Sequence, residues 1–196
     1  MKRTLIHNAT IVNEGRSVQG SVVIEGDRIA EVLTYGKKLS VPCDETIDAT
    51  GCCLLPGVID DHVHFRDPGL THKADILTES RAAAAGGVTS IMDMPNTNPL
   101  TTTLSALEQK FDLLNEKCIV NHSCYFGATN NNYTEFNQLD KHRVCGIKLF
   151  MGSSTGNMLV DKTNSLLNIF NGTDMLIATP VSYTHLRAHE TSAHLV

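Results

Sequence analysis

The sequence has no stretch long and apolar enough to span a bilayer, no run of Lys and Arg, and no pair of cysteines at Cys-x-x-Cys spacing. These absences argue against a membrane span, an electrostatic footprint for nucleic acid or anionic lipid, and a zinc ribbon or redox dithiol. The positively charged start at Met1-Lys2-Arg3 leads into an apolar run that His7 and Asn8 interrupt, too soon for a secretion signal. The glycine-containing stretch 152–157 lacks the Gly-Lys-Ser/Thr ending of a phosphate-binding loop and reads as a flexible rim loop. What is present is ordinary for a soluble globular chain: 196 residues, 41% hydrophobic, 19% charged, net charge −5. With a pI near 5.9, a small-molecule partner is expected rather than nucleic acid or membrane. The six cysteines are expected to be reduced core thiols of a cytoplasmic protein.

Residues 1–50 read as short strands over 4–12, 21–25 and 28–33, punctuated by Gly15, Gly20, Gly26 and Gly36. From Cys52 the pattern changes to apolar runs alternating with helices, which predicts βαβ units on a parallel sheet. Strands are predicted over 54–64, 88–94, 119–126, 146–151 and 175–178. A helix over 103–117 carries Leu104, Leu107, Phe111 and Leu114 at helical spacing, a core-facing stripe. Another helix ends in Ala82-Ala83-Ala84-Ala85 and stops at Gly86-Gly87. Five strands are fewer than the eight that close a (β/α) barrel, which takes about 250 residues. The chain therefore reads as α/β, a partial (β/α)8 TIM-type barrel preceded by a β segment.

Three clusters carry chemistry. The first is Asp60-Asp61-His62-Val63-His64-Phe65-Arg66 at the end of the first parallel strand. Strand alternation puts His62 and His64 on one face, where two neutral imidazoles can grip a metal ion; isolated surface or core histidines are the alternative. The second is Lys148, inside Gly146-Ile147-Lys148-Leu149-Phe150. Burial disfavours an ammonium, so the side chain either snorkels to water or reacts as the free amine with carbon dioxide, giving a carbamate that can bridge two metals. With His-x-His upstream, the carbamate is the preferred reading. The third is Met94-Pro95-Asn96-Thr97 after the second parallel strand. There Asn96 and Arg66 can clamp a substrate carboxylate, the alternative being a plain Asn/Pro turn.

Together the run from Pro56 to Gly69, the loop from Met92 to Pro99 and the stretch from Gly146 to Met158 closely resemble the dihydroorotases of the amidohydrolase superfamily. The resemblance extends from residue 1 to about Thr179. It implies a metal-dependent (β/α)8 barrel with a β-sandwich built from both chain ends, residues 1–50 supplying part of the sandwich and 51–179 the first half of the barrel. It also implies the interconversion of dihydroorotate and N-carbamoyl-L-aspartate in pyrimidine synthesis, with two zinc ions per site. His62 and His64 would hold the more buried zinc, and carboxylated Lys148 would bridge to the second. Arg66 and Asn96 would bind the substrate carboxylate. Homo-oligomers are compatible with the resemblance.

After Ile177-Ala178-Thr179 the family pattern has a metal-binding histidine followed by Cys-Glu, whereas Pro180-Val181-Ser182 stands here. The later histidine ligand and the aspartate general base have no counterpart. Residues 180–196 resemble translated adapter sequence and are expected to be a non-native tail, with His185 and His189 no native metal site. On this reading the 196-residue chain is an inactive fragment of the enzyme. The rival readings are another cyclic amidohydrolase, an allantoinase or dihydropyrimidinase, and a non-catalytic scaffold of the same fold.

Overall fold

The computed structural model describes residues 1–152, 154 and 156–180. It divides into two compact units, Met1–Gly57 and a second beginning at Val58. The proposed tail, with His185 and His189, lies outside the described residues apart from Pro180.

The first unit is one five-stranded sheet. Strands β1 (Arg3–Asn13), β2 (Arg16–Glu25) and β3 (Arg28–Thr34) form an antiparallel meander, while β4 (Glu45–Asp48) and β5 (Cys53–Leu54) pair with β1 in parallel. The β1–β2 hairpin turns through Glu14 and Gly15, both at positive φ, with Asn13 opposite Arg16. That conformation matches the right-handed twist of the flanking strands. The described residues of this unit form a single sheet layer. One of its faces is open and apolar, a groove of about 290 Å³ lined by Ile6, Ile11, Val22, Ile24, Val32 and Leu54.

The second unit is a parallel sheet of β6 (Val58–Val63), β7 (Val88–Asp93), β8 (Asn121–Gly127), β9 (Gly146–Lys148) and β10 (Ile177–Ala178), in sequential order. A doubly wound sheet reverses its strand order at a switch point; this one never does, which is the progression of a (β/α) barrel. The crossovers include α1 (Ile76–Ala85), α2 (Leu104–Lys117), a 3-10 helix at Tyr133–Gln138 and α3 (Thr163–Asn171). Asp75 caps α1 by accepting from the Thr78 amide, Thr103 caps α2 by accepting from the Ala106 amide, and Gly87 takes the left-handed turn that ends α1. Ile91, Cys124, Phe126 and Ile147 from the strands pack with Ile76, Leu107, Phe111, Leu114 and Ile169 from the helices. Each large apolar side chain so buried stabilises the fold by about 1.5–3 kcal/mol.

Several expectations need correction. The strand predicted over 54–64 is two strands in two different sheets. It breaks at Leu55-Pro56-Gly57, where proline has no N–H to give a ladder. Strand β2 starts at Arg16 rather than Ser21, because the tight turn at 14–15 sets the pairing directly, and the short exposed strand β4 carries no alternation to reveal it. Strand β9 ends at Lys148, not Met151. The thiols are free, but only Cys124 is buried; Cys52 and Cys53 are exposed, since both sit at the exposed end of the first unit and not in its core.

Candidate metal centre

The helices cover one face of the parallel sheet, and the candidate site lies on the other. Phe65 is in the helix-side core and Val63 packs against it, so the flanking His62 and His64 turn to the open side. Their ring centroids are 5.4 Å apart. The strand reaches this arrangement through an irregularity. Asp60 pairs with Ile91, but Val63 pairs with Asp93, three residues on β6 against two on β7. Such a bulge re-aims side chains at the end of a strand. The His62 amide closes it by donating to Asp60 Oδ1 at 3.1 Å.

Partial desolvation holds both imidazoles below their usual pKa even though much of the His62 surface meets solvent, His62 being lowered further by the nearby Lys148 ammonium and His64 by the Arg66 guanidinium. Both are therefore neutral near pH 7, the state that binds metal. His62 is exposed and His64 half-buried. His64 Nδ1 lies 2.8 Å from Asn96 Oδ1. A carbonyl oxygen can only accept, so Nδ1 carries the proton and Nε2 keeps its lone pair.

Lys148 is 2% exposed, on the face opposite Ile147, and Phe150 lies 5.4 Å from its ammonium. Burial alone lowers its pKa, and among the described residues no carboxylate pairs with it. Lys110, the other buried lysine, is fully compensated: its Nζ donates to the Asp67 carbonyl at 2.6 Å and to Asp93 Oδ2. Lys110 thus has a structural explanation within the fold, whereas among the described residues Lys148 has no such partner.

Arg66 adopts φ 64, a left-handed conformation that costs a non-glycine residue about 1–3 kcal/mol. It follows His64 by two residues, and its guanidinium lowers the pKa of that imidazole. Asn96 flanks the same ring, and no hydrogen bond joins Arg66 to Asn96 among the described residues; His64 is their common neighbour. Gly69, at φ +82, lies so close to the Asn98 carbonyl that a Cβ would stand 1.9 Å from its oxygen, which packs the loop carrying Arg66 tightly onto the loop carrying Asn96. The rim loop expected over 152–157 falls partly outside the described residues.

Two features of the site went unread in the sequence. Lys110 belongs to the buried face of α2, three residues after Leu107 and four before Leu114, and a lysine inside that stripe was the available signal. Tyr125 faces away from the core pair Cys124 and Phe126 and donates its hydroxyl to the Asp61 carbonyl at 3.1 Å, with burial pushing its pKa up to about 12. Among the described residues no group of three or more His, Cys, Asp or Glu side chains converges as a metal site. The Lys148 amine is buried and shifted toward the neutral form, and among the described residues no carboxylate pairs with it, so its chemistry suits a carbamate ligand beside the two imidazoles.

Comparison with known proteins gives a consistent family. The dihydro-orotase-like family model matches residues 51–156. The chain is 38% identical over 133 residues to the dihydroorotase of Lactobacillus acidophilus, covering 68% of this chain and 30% of that protein. It is 35% identical over 151 residues to the allantoinase of Deinococcus radiodurans, covering 76% of this chain and 33% of that one. Its fold superposes on L-hydantoinase from Arthrobacter aurescens with a TM-score of 0.82 at 27% identity, over 91% of this chain and 40% of that structure. The chain thus spans about a third of the length of the curated relatives it matches. No described helix is long and apolar enough to cross a membrane. The chain belongs to the dihydro-orotase-like family of cyclic amidohydrolases.

Proposed function

We propose that this chain carries the first metal ligands and the carboxylate clamp of a zinc-dependent dihydroorotase, which interconverts (S)-dihydroorotate and N-carbamoyl-L-aspartate in de novo pyrimidine synthesis. The observation that supports the reading is that Asn96 is hydrogen-bonded to the His64 imidazole, whose pKa the Arg66 guanidinium two residues on also lowers. A guanidinium and an amide N–H beside a metal-ligand histidine suit a cyclic amide bearing a carboxylate. Asn96 spends its carbonyl on His64, which leaves its amide hydrogens for the substrate.

His62 and His64 bind metal as neutral imidazoles. Lys148 loses its ammonium proton to water, and its amine nitrogen forms a bond to the carbon of carbon dioxide, releasing a second proton and leaving an anionic carbamate. Zinc held by these groups supplies a Lewis acid for the ring carbonyl and brings the pKa of water toward neutrality. Arg66 pairs with the substrate carboxylate and Asn96 donates to it, and together they fix the ring so that the amide carbon faces the metal side. Hydrolysis adds water oxygen to that carbon, breaks the ring C–N bond and leaves a proton on the nitrogen. The general base and remaining ligands are assigned to segments beyond the matched region. The open face of the first unit is assigned a second sheet layer, completing a sandwich. The setting is cytoplasmic and the substrate a small molecule.

A second reading, a cyclic amidohydrolase for rings without a carboxylate, is favoured by the similarity to allantoinase and to the hydantoinase structure. Comparing kcat/KM of the full-length protein on dihydroorotate, allantoin and dihydrouracil separates the two. The proposal expects dihydroorotate to be preferred, with Arg66→Met raising its KM about tenfold or more. Preference for a ring without a carboxylate overturns it, and failure to turn over any of the three favours the scaffold reading.

A further inference from the structure

We infer that the buried pair Asp93 and Lys110 is a positioning device that holds Arg66 in its left-handed conformation and so sets the carboxylate end of the site. The inference rests on the assignment of Arg66 to the substrate carboxylate. A non-glycine residue at φ 64 persists only where its surroundings over-determine it. Here the residues immediately before and after Arg66 are tied to the same two side chains. The Phe65 amide donates to Asp93 Oδ1 at 3.0 Å, and the Asp67 carbonyl accepts from Lys110 Nζ at 2.6 Å. Lys110 closes the circuit on Asp93 Oδ2, with both side chains fully buried. Seven residues further along α2, Lys117 grips the same loop from outside, donating to Asp67 Oδ2 at 2.8 Å. The loop is held from the other side by the Asn98 amide, which donates to the Pro68 carbonyl at 3.0 Å.

Stability alone does not account for the pair. Position 110 lies in the apolar stripe of Leu107, Phe111 and Leu114, where a leucine or methionine opposite an uncharged partner would pack without desolvating two charges. What an apolar pair cannot do is grasp a backbone N–H on one side of Arg66 and a backbone C=O on the other. Without that grip, Arg66 relaxes toward negative φ and its guanidinium swings away. A misplacement of about 1 Å at a substrate-orienting group is costly.

The test is a double-mutant cycle in the full-length protein, with dihydroorotate as the probe. The variant D93N/K110M removes both charges together, keeps an acceptor for the Phe65 amide and loses the tie to the Asp67 carbonyl. It is expected to raise KM about tenfold with kcat changed less than about threefold, and to add nothing further to R66M. Amide hydrogen exchange at Asp67 and the backbone couplings of Arg66 should report the freed loop in the same variant. K117M, whose side chain is a third exposed, reads the same network if the buried pair cannot be replaced without unfolding. It is expected to raise KM about threefold, again only while Arg66 is present. Additive effects of D93N/K110M and R66M, or an unchanged KM in K117M, would overturn the inference while leaving the carboxylate reading intact. An R66M protein with unaltered KM would overturn both.

Discussion

His64 Nδ1 donates to Asn96 Oδ1 across 2.8 Å, joining the end of one parallel strand to the loop after the next. On the proposed function this bond gives Asn96 two separable tasks, orienting a metal-ligand imidazole through its carbonyl and meeting the substrate through its amide. Asn96→Asp keeps an acceptor for Nδ1 but loses the N–H donors and sets a charge against the substrate carboxylate. It is expected to retain zinc affinity while KM for dihydroorotate rises steeply. Asn96→Ala loses both tasks and should weaken zinc about 10–100-fold. Calorimetric zinc titration beside steady-state kinetics distinguishes them; equal zinc affinity in N96A and the wild type would refute the orienting role.

The two buried lysines should respond in opposite ways to the same substitution. Lys110→Met strands the Asp93 carboxylate in the core and is expected to cost about 3–5 kcal/mol. Lys148→Met removes an ammonium that burial already disfavours, so the metal-free protein should be as stable as the wild type or more so, while metal binding falls. Denaturant unfolding of both variants measures this.

The pH dependence follows from the imidazoles. His62 and His64 are both lowered from 6.5, partial desolvation being the main cause, so the folded chain binds fewer protons there than the unfolded chain. Their contribution to stability is complete above about pH 6.5 and is lost as pH falls through the lowered values. Zinc affinity should decline over the same window, because proton and metal compete for the lone pairs. Thermal midpoints of the metal-free protein recorded from neutral to acidic pH should show a decline that flattens in H62N/H64N.

Much of this site was legible in the sequence because its signals are local. The His-x-His alternation survives the bulge at 60–63, since Val63 still turns to the core, and Lys148 is marked by the apolar strand around it. The Asp93–Lys110 pair was not legible, because its partners lie 17 residues apart and meet only when α2 folds back over β7. The break after Leu54 was missed because the apolar run through Leu54 and Leu55 resembles one strand, although Pro56-Gly57 was there to read. The end of the bond from His64 to Asn96 could not be read either, since Asn96 was visible as a substrate donor but its carbonyl partner is 32 residues away.

Edge strand β6 exposes Val58 and Ile59 at 55% and 63%. Exposed apolar residues on an unpaired edge template association between copies. The 196-residue chain alone is expected to self-associate in a concentration-dependent way, and Ile59→Lys should reduce this, as light scattering on both would read.

Zinc content and dihydroorotate turnover together decide whether His62, His64 and Lys148 form a metal centre. The full-length protein, zinc-loaded in the presence of ¹³C-bicarbonate, is expected to hold about two zinc per chain, show a carbamate carbon resonance and hydrolyse dihydroorotate. Lys148→Met should lose the resonance, at least one zinc and the activity together. A K148M protein that keeps its full zinc and its turnover would exclude Lys148 from the metal centre.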